Sequence, residues 1–429
     1  MSQQDLISVP PSITEPASFG FSPCEGGICA AMGIRAAGIH AGFRPDPNRK
    51  DMALVVADQT CTCAATFTTN RFCAAPVQVS RSRAASGHAR AVILNSGNAN
   101  ASTGEPGVQV AKASTALVAQ ALGCDEEDVL VASTGVIGQQ LPLGPYETGV
   151  PVAVERLDHS TDAAHDAARA VMTTDTVPKE VSLVGPVACG MDGDEVMVHV
   201  GGFVKGSGMI MPNMATMLCV LASDAPLTHE AAQAALSAAV SVTFNKVTVD
   251  SDTSTNDTCI LLATGAAGGN PIELGTHAYD VIAAAIRCAC ENLARKIAAD
   301  GEGATKLVTV DVLGAANESD ADTVARAIAN SPLVKTAIFG HDANWGRIAG
   351  AAGKCGVAFD QYDVDIDFLG VPVLRAGLPL PMDEEDMLRR FESPEVTIAI
   401  DLGVGDSHAR IWTCDLTHDY VTINGDYRT

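Results

Sequence analysis

Apolar and polar positions alternate in blocks along this chain, in the manner of a protein built from both strands and helices. Ala53–Ala57 and Ala91–Leu94 are short, wholly apolar runs, as expected of strands buried on both faces. Val108–Leu122 is alanine-rich, has helical spacing and runs up to Gly123, a residue suited to ending a helix. Val196–Val204 alternates, which predicts a strand leading into a loop at Lys205. The apolar run Met217–Ala222 predicts a buried strand beyond that loop. Thr228 is placed to cap a helix over His229–Ala239. Asn245–Val249 reads as a strand, followed by a polar loop over Asp250–Thr258. A long helix fits His277–Ala299, with Gly301 just past its end. After it the pattern changes: Val396–Leu402, Ala409–Cys414 and Tyr420–Ile423 predict short strands, the first two joined by a turn at Gly403–Asp406. The stretch Leu141–Pro151, rich in proline and glycine, reads as a surface connection. The change after the long helix sets an expected division into a main α/β domain, residues 1–300, and a smaller C-terminal α/β domain, residues 301–429.

Composition limits what such a fold can do. Aromatic residues are only 4% against 47% apolar residues, so the core has to be built from Ala, Val, Ile and Leu. The formal net charge of −24 argues against a nucleic-acid partner, since no Lys/Arg cluster is present to neutralise phosphates. It also means that an anionic substrate needs local positive charge. The 13 cysteines are odd in number and lie in apolar surroundings without zinc or redox spacing. They are expected to be reduced and packed, as in a cytoplasmic protein. The histidine spacing gives no support to a metal site, the start of the chain lacks a signal-peptide pattern, and no segment reaches the length of a membrane span.

Candidate chemistry concentrates in a few polar islands. The run Lys205-Gly-Ser-Gly-Met-Ile-Met-Pro-Asn-Met-Ala215-Thr216 precedes the buried strand. Its ordinary reading is a glycine-rich entry to a core strand. Its other reading is chemical: a threonine hydroxyl becomes a useful nucleophile when a base such as a free N-terminal amine lies beside it, and Thr216 would gain one if the Ala215–Thr216 bond broke. Asn95–Ala101 and Ser133–Gly138 each follow an apolar segment, and the small residues of the second can turn backbone N–H groups toward an oxyanion. Thr173–Thr176 reads as a side-chain-supported turn, Gly301–Lys306 as a helix end carrying one carboxylate, and Gly340–Arg347 as a loop crowded with functional groups.

Taken in order, these segments resemble the ornithine acetyltransferases, or glutamate N-acetyltransferases, of arginine biosynthesis. The resemblance runs nearly end to end: Arg35-Ala-Ala-Gly-Ile, Thr68-Thr-Asn-Arg71, Ala74-Ala-Pro-Val77, the islands above, Thr248–Thr258, Asn344-Trp-Gly-Arg347 and the terminal Asp426-Tyr-Arg-Thr429. It implies a layered α/β sandwich resembling N-terminal-nucleophile enzymes, with a smaller C-terminal α/β region. It also implies self-cleavage between Ala215 and Thr216 into chains 1–215 and 216–429, paired as an α2β2 heterotetramer. Thr216 would be the nucleophile in a ping-pong transfer of acetyl from N2-acetylornithine to glutamate. Thr134 and Gly135 would form the oxyanion hole, and Thr173, Lys205, Thr216, Glu302, Asn424 and Thr429 would contact substrate. No cofactor or metal is implied, and whether acetyl-CoA also serves as a donor stays open. Gly425 and Ala343 depart from the family pattern (Ala and Pro are usual there), but neither change removes a functional group. A related self-cleaving amidohydrolase or aminopeptidase is the alternative, and a non-enzymatic binding protein the third reading.

Overall fold

The computed structural model describes residues 6–11, 13–211 and 217–426. The chain forms two compact units. The larger takes Ile13–Asn245 and Asp252–Leu293; the smaller takes Lys246–Ser251 and the chain from Ala294 to residue 426, with residues 6–11. No helix among the described residues is long and apolar enough to cross a membrane.

The larger unit contains β1 (Ser22–Pro23), β2 (Ile34–Ile39), β3 (Met52–Phe67), β4 (His88–Asn98), β5 (Val129–Val136), β6 (Lys179–Val187), β7 (Val196–Lys205), β8 (Leu218–Ser223) and β9 (Thr258–Ala263). They form one sheet in the order β1-β6-β7-β8-β9-β3-β4-β5, with β2 paired to the first half of β3. The β4–β5 and β8–β9 pairs are parallel. Successive residues along the central strands enter different cores. Val55, Val92, Leu94, Leu130 and Ala132 join one core, while Leu54, Val56, Ala91, Ile93, Val129 and Val131 join another. A period of two with apolar residues on both faces gives the continuous apolar runs seen in the sequence. The first core also takes Leu218, Val220 and Ala222 of β8 and Ile260 and Leu262 of β9. The sheet therefore doubles over along the 16-residue β3, whose pairing with β4 shifts register between Val56 and Cys61, and its two arms enclose this core. Helix Thr161–Ala170 packs into it through alanines, and helices Gly104–Leu122 and Gly144–Glu155 close the other face of β3, β4 and β5. The result is a layered α/β unit.

The smaller unit holds β10 (Leu307–Ala315), β11 (Asp365–Phe368), β12 (Val371–Arg375), β13 (Leu378–Pro379), β14 (Glu395–Asp401) and β15 (Ser407–Cys414), ordered β13-β12-β11-β14-β10-β15. Its core joins Val308, Val310 and Val312 of β10 to Ala321, Val324 and Ile328 of helix Glu318–Ala329.

Local signals behave as their chemistry requires. Gly123 ends its helix at φ 66°, ψ 40°, a conformation that carries little penalty without a Cβ. Thr228 Oγ1 accepts the Ala231 N–H at 3.3 Å, the N-cap expected for the following helix. Three expectations fail. Asn245–Val249 is not a strand: Phe244–Lys246 is a single 3-10 turn, and Val247 makes one isolated bridge to Trp412. Tyr420–Ile423 lies inside helix His418–Asp426, since a four-residue apolar run does not by itself distinguish the two periods. Leu141–Pro151 is largely helical, with Pro145 tolerated in the first turn of Gly144–Glu155. Its Tyr146 is fully buried and donates its hydroxyl to Asn95 Oδ1 at 2.8 Å.

Candidate active site

The ends of β4 and β5 bring two of the polar islands together. Asn95–Asn98 and Ser133–Val136 are not turns after strands but the last residues of two parallel neighbours, with Ser96 beside Thr134 and Gly97 beside Gly135. Gly135 has φ +132°, which frees its backbone from ordinary strand geometry in a way that residues with a Cβ rarely adopt. Buried Asn256 secures this end of the sheet, donating to Ala99 O at 2.6 Å and Ser133 O at 2.8 Å. Lys205, at the end of β7 and only 2% exposed, donates from Nζ to Thr134 Oγ1 at 3.3 Å. With its oxygen accepting that bond, the Thr134 hydroxyl keeps its hydrogen for an onward donation.

A buried carboxylate links the next two candidates. Asp175 Oδ2 accepts the Thr173 N–H at 2.9 Å, and Oδ1 accepts the N–H of Gly206, the residue after Lys205, at 2.8 Å. Oδ1 also receives Lys179 Nζ at 2.7 Å, both side chains being 1% exposed. Burial alone would push the Asp175 pKa up, but the Lys179 and Lys205 charges and these hydrogen bonds outweigh it and hold the carboxyl well below its usual range. The Thr173 segment is braced from the far side by Arg49 Nη2 donating to Thr173 O at 3.0 Å and Arg44 Nη2 donating to Met172 O at 2.8 Å.

The polar loop Asp250–Thr258 turns inward. Residues Ser254–Thr258 are buried, and Asp257 is fully so. Thr68 Oγ1 donates to Ser254 O at 2.8 Å and Asn70 Nδ2 to Thr253 O at 2.9 Å, so the Thr68–Arg71 motif braces this loop. Asp257 Oδ1 accepts the Met217 N–H at 2.8 Å, and its Oδ2 has no hydrogen-bond partner among the described residues. Burial raises the Asp257 pKa well above normal; the Met217 N–H, Thr68 and the Lys205 charge oppose this without offsetting it. A carboxyl whose pKa is raised by folding binds its proton more tightly folded than unfolded. Its contribution to stability is complete below the unfolded pKa of about 4 and is lost as pH rises through the folded value. Asp257→Asn should remove that component, so the melting-temperature difference between wild type and variant should shift in favour of the variant as pH is raised from about 4 toward 8. A pH-independent difference would show that the carboxyl is ionised in the fold.

In the smaller unit the structure joins Glu302 and Asn424. Asn424 Nδ2 donates to Glu302 Oε2 at 2.6 Å and to Tyr420 O at 3.0 Å. Thr417 Oγ1 donates to Gly303 O at 2.7 Å, and Asp415 accepts the N–H groups of Thr305 at 2.8 Å and Lys306 at 3.0 Å. These bonds tie the loop after the long helix to the chain before and within the last helix. Gly340–Arg347, by contrast, is structural: Asn344 caps helix Trp345–Gly353 by accepting the Arg347 N–H at 3.1 Å, and Arg347 Nη1 donates to Leu333 O at 2.7 Å.

Thr134, Gly135, Thr173 and Lys205 thus cluster in one unit, and Glu302 and Asn424 pair in the other. Ala215, Thr216 and Thr429 lie outside the described residues. The described chain resumes at Met217, and the cross-strand partner of Leu218 is Lys205. Sequence reading missed Asp175, Lys179, Asn256 and Asp257. The available signal was the density of Asp, Thr and Asn within otherwise apolar surroundings, at Thr173–Lys179 and Ser251–Thr258. Burial disfavours the thiolate that a cysteine nucleophile needs, pushing the Cys29 and Cys61 thiols up to about 12.

Comparison with known proteins bears on the same residues. The arginine biosynthesis bifunctional protein ArgJ of Caldanaerobacter subterraneus subsp. tengcongensis is 44% identical over 409 residues, covering 94% of this chain and 99% of that protein. The protein of the same name from Symbiobacterium thermophilum is 45% identical over 405 residues, covering 94% and 99%. The crystal structure of the ArgJ protein from Bacillus halodurans matches 48% of this chain and 96% of its own, at 43% identity and a TM-score of 0.46. The model of the ArgJ family spans residues 35–429, so the match takes in both units and every candidate position, and this chain belongs to the ArgJ family.

Proposed function

We propose that this chain is a glutamate N-acetyltransferase of arginine biosynthesis, moving acetyl from N2-acetylornithine to glutamate. Cleavage between Ala215 and Thr216 would create chains 1–215 and 216–429, assembled as an α2β2 heterotetramer in the cytoplasm. Thirteen unpaired cysteines fit such a reducing compartment. Thr216 Oγ attacks the acetyl carbonyl, its freed amine takes the hydroxyl proton, and ornithine leaves with a proton to give an acetyl-threonine ester. The glutamate amine then attacks the ester and returns the threonine hydroxyl, completing a ping-pong cycle. The observation that carries this reading is the Lys205–Thr134 hydrogen bond of 3.3 Å at the paired strand ends. It gathers the positive charge a substrate carboxylate requires and a hydroxyl free to donate, next to Gly135. In the other unit, the Glu302–Asn424 pair offers a carboxylate for the ornithine ammonium.

An acetyl thioester could acylate the same threonine without any further protein group, so acetyl-CoA is the second donor to consider. Membership in the ArgJ family favours transfer to an amine over the hydrolysis of an amidohydrolase. Purified protein given N2-acetylornithine and glutamate should release ornithine and N-acetylglutamate in equal amounts, and a parallel reaction with acetyl-CoA tests the second donor. Turnover with neither donor would sink the assignment; acetate release without N-acetylglutamate would favour the hydrolase.

A further inference from the structure

The loop between β2 and β3, residues 40–51, has no part in the proposed chemistry, yet two of its arginines hold the Thr173 segment. Hairpins commonly turn in about two to five residues, so a loop of this length points to work beyond joining two strands. Asp51, fully buried, shapes it: the carboxylate accepts the N–H groups of Ala41 at 2.5 Å, Gly42 at 3.2 Å and Arg44 at 2.9 Å. The Asp51 main chain is fixed too, its N–H donating to Ile39 O at 2.8 Å and its carbonyl accepting the Ser96 N–H at 2.9 Å. Ser96 lies beside Thr134 on the β4–β5 ladder, so the loop is anchored at the strand ends of the candidate site. From that anchor Arg44 passes over Gly97, where a Cβ would come within 3.0 Å of Arg44 Cγ. Arg44 Nη2 then reaches Met172 O at 2.8 Å, and Arg49 Nη2 reaches Thr173 O at 3.0 Å.

These two carbonyls belong to the peptide planes on either side of the Thr173 Cα. The plane before it is held twice, by Arg44 on Met172 O and by Asp175 Oδ2, which accepts the Thr173 N–H at 2.9 Å. The plane after it is held by Arg49. Because each peptide is rigid, fixing both planes fixes φ and ψ at Thr173, and with them the direction in which its side chain leaves the backbone. That side chain is half-buried, and its hydroxyl makes no hydrogen bond among the described residues. Resting on the acetyltransferase reading above, we infer that Arg44 and Arg49 are positioning residues of the transfer site. They act through Thr173, holding it against the ends of β4 and β5 so that its hydroxyl meets the bound amino acid.

The test is a double-mutant cycle on the full-length protein, read as steady-state transfer from N2-acetylornithine to glutamate, with melting temperature recorded for every variant. Thr173→Val removes the hydroxyl and should raise KM for N2-acetylornithine about tenfold. Arg44→Met keeps the stem over Gly97 but loses the donor, and should raise the same KM about fivefold or more with kcat within about threefold. Arg49→Ala, whose bond is exposed, should raise it about threefold. Added to Thr173→Val, either arginine substitution should change kcat/KM by less than about twofold, because the group it positions is already gone. A merely structural role gives the opposite pattern: a lower melting temperature, a lower kcat at unchanged KM, and losses that multiply in full with Thr173→Val. A folded Arg44→Met with KM within about twofold of wild type, or with losses that multiply, overturns the inference. So does a Thr173→Val enzyme with unchanged kcat/KM, since nothing would then be positioned. If Arg44→Met does not fold, Arg49→Ala decides by the same cycle, and an unchanged KM or a full multiplication of losses overturns the inference there too. Wild-type protein that transfers acetyl to nothing would count against the acetyltransferase reading itself rather than against these arginines.

Discussion

Replacing Thr216 by alanine should leave a single uncut chain and bring acetyl transfer down to background. The two losses share one cause. Cleavage needs the hydroxyl to attack the preceding carbonyl, and transfer needs the same hydroxyl together with the amine that cleavage frees. Removing a nucleophile that works as part of a unit costs on the order of 10^4 to 10^6 in turnover, because the remaining donors have nothing to stabilise. The setting agrees with this. Met217, the next residue, has its N–H held by Asp257, and Lys205, opposite Leu218, bonds Thr134. Thr216→Ser keeps a hydroxyl and should still be cut, more slowly. Intact-mass measurement separates the outcomes: wild type and Thr216→Ser appear as two chains and Thr216→Ala as one. A cleaved or transfer-competent Thr216→Ala protein would remove Thr216 from both roles.

Gly135→Ala is the second substitution with a large expected effect. A Cβ at this position would lie well inside contact with the Gly97 carbonyl carbon and 2.5 Å from the Asn98 nitrogen, both backbone atoms of β4. Both atoms belong to the β4–β5 ladder, where Gly97 pairs with Gly135 itself, so moving them aside disturbs that pairing. The φ of +132° adds strain for any residue bearing a Cβ. Overpacking and strain together suggest a loss of about 3–5 kcal/mol, and the misplaced Gly135 N–H should cost a further factor of about 10^2 in kcat if it faces the oxyanion. Thermal melting and transfer rate, measured on the same preparation, separate the two effects. Unchanged melting would show that β4 yields, and unchanged kcat would place the oxyanion donors elsewhere.

Legibility in the sequence followed the range of the interactions involved. The helices around Val108–Leu122 and His229–Ala239 were readable because their caps, Gly123 and Thr228, lie next to them in sequence. The buried strands were readable because runs apolar on both faces need a sheet covered on both sides. The helix at Gly144–Glu155 was obscured by its own Pro145 and Pro151. The turn at Phe244–Lys246 and the helix over Tyr420–Ile423 were too short or too weakly patterned for periodicity to decide between states. Thr134, Lys205, Glu302 and Asn424 could be singled out by their ordered resemblance to a family. Their hydrogen-bond partners could not.

By itself, the sequence determined the element types over long periodic segments, the acidic composition that makes a local cation necessary for an anionic substrate, and the family, and it pointed to the Ala215–Thr216 step as the expected chemical focus. Tertiary structure alone decided the charge states around that focus. Asp175 meets Gly206 across 31 positions, Met217 meets Asp257 across 40, and Lys205 meets Thr134 across 71. Two aspartates that look alike in the sequence are thereby pushed in opposite directions, the Asp175 pKa down by its lysines and the Asp257 pKa up by burial. Residue type sets what a carboxyl can do. Which form it takes depends on solvent access and on charges within a few ångströms, which only folding brings together.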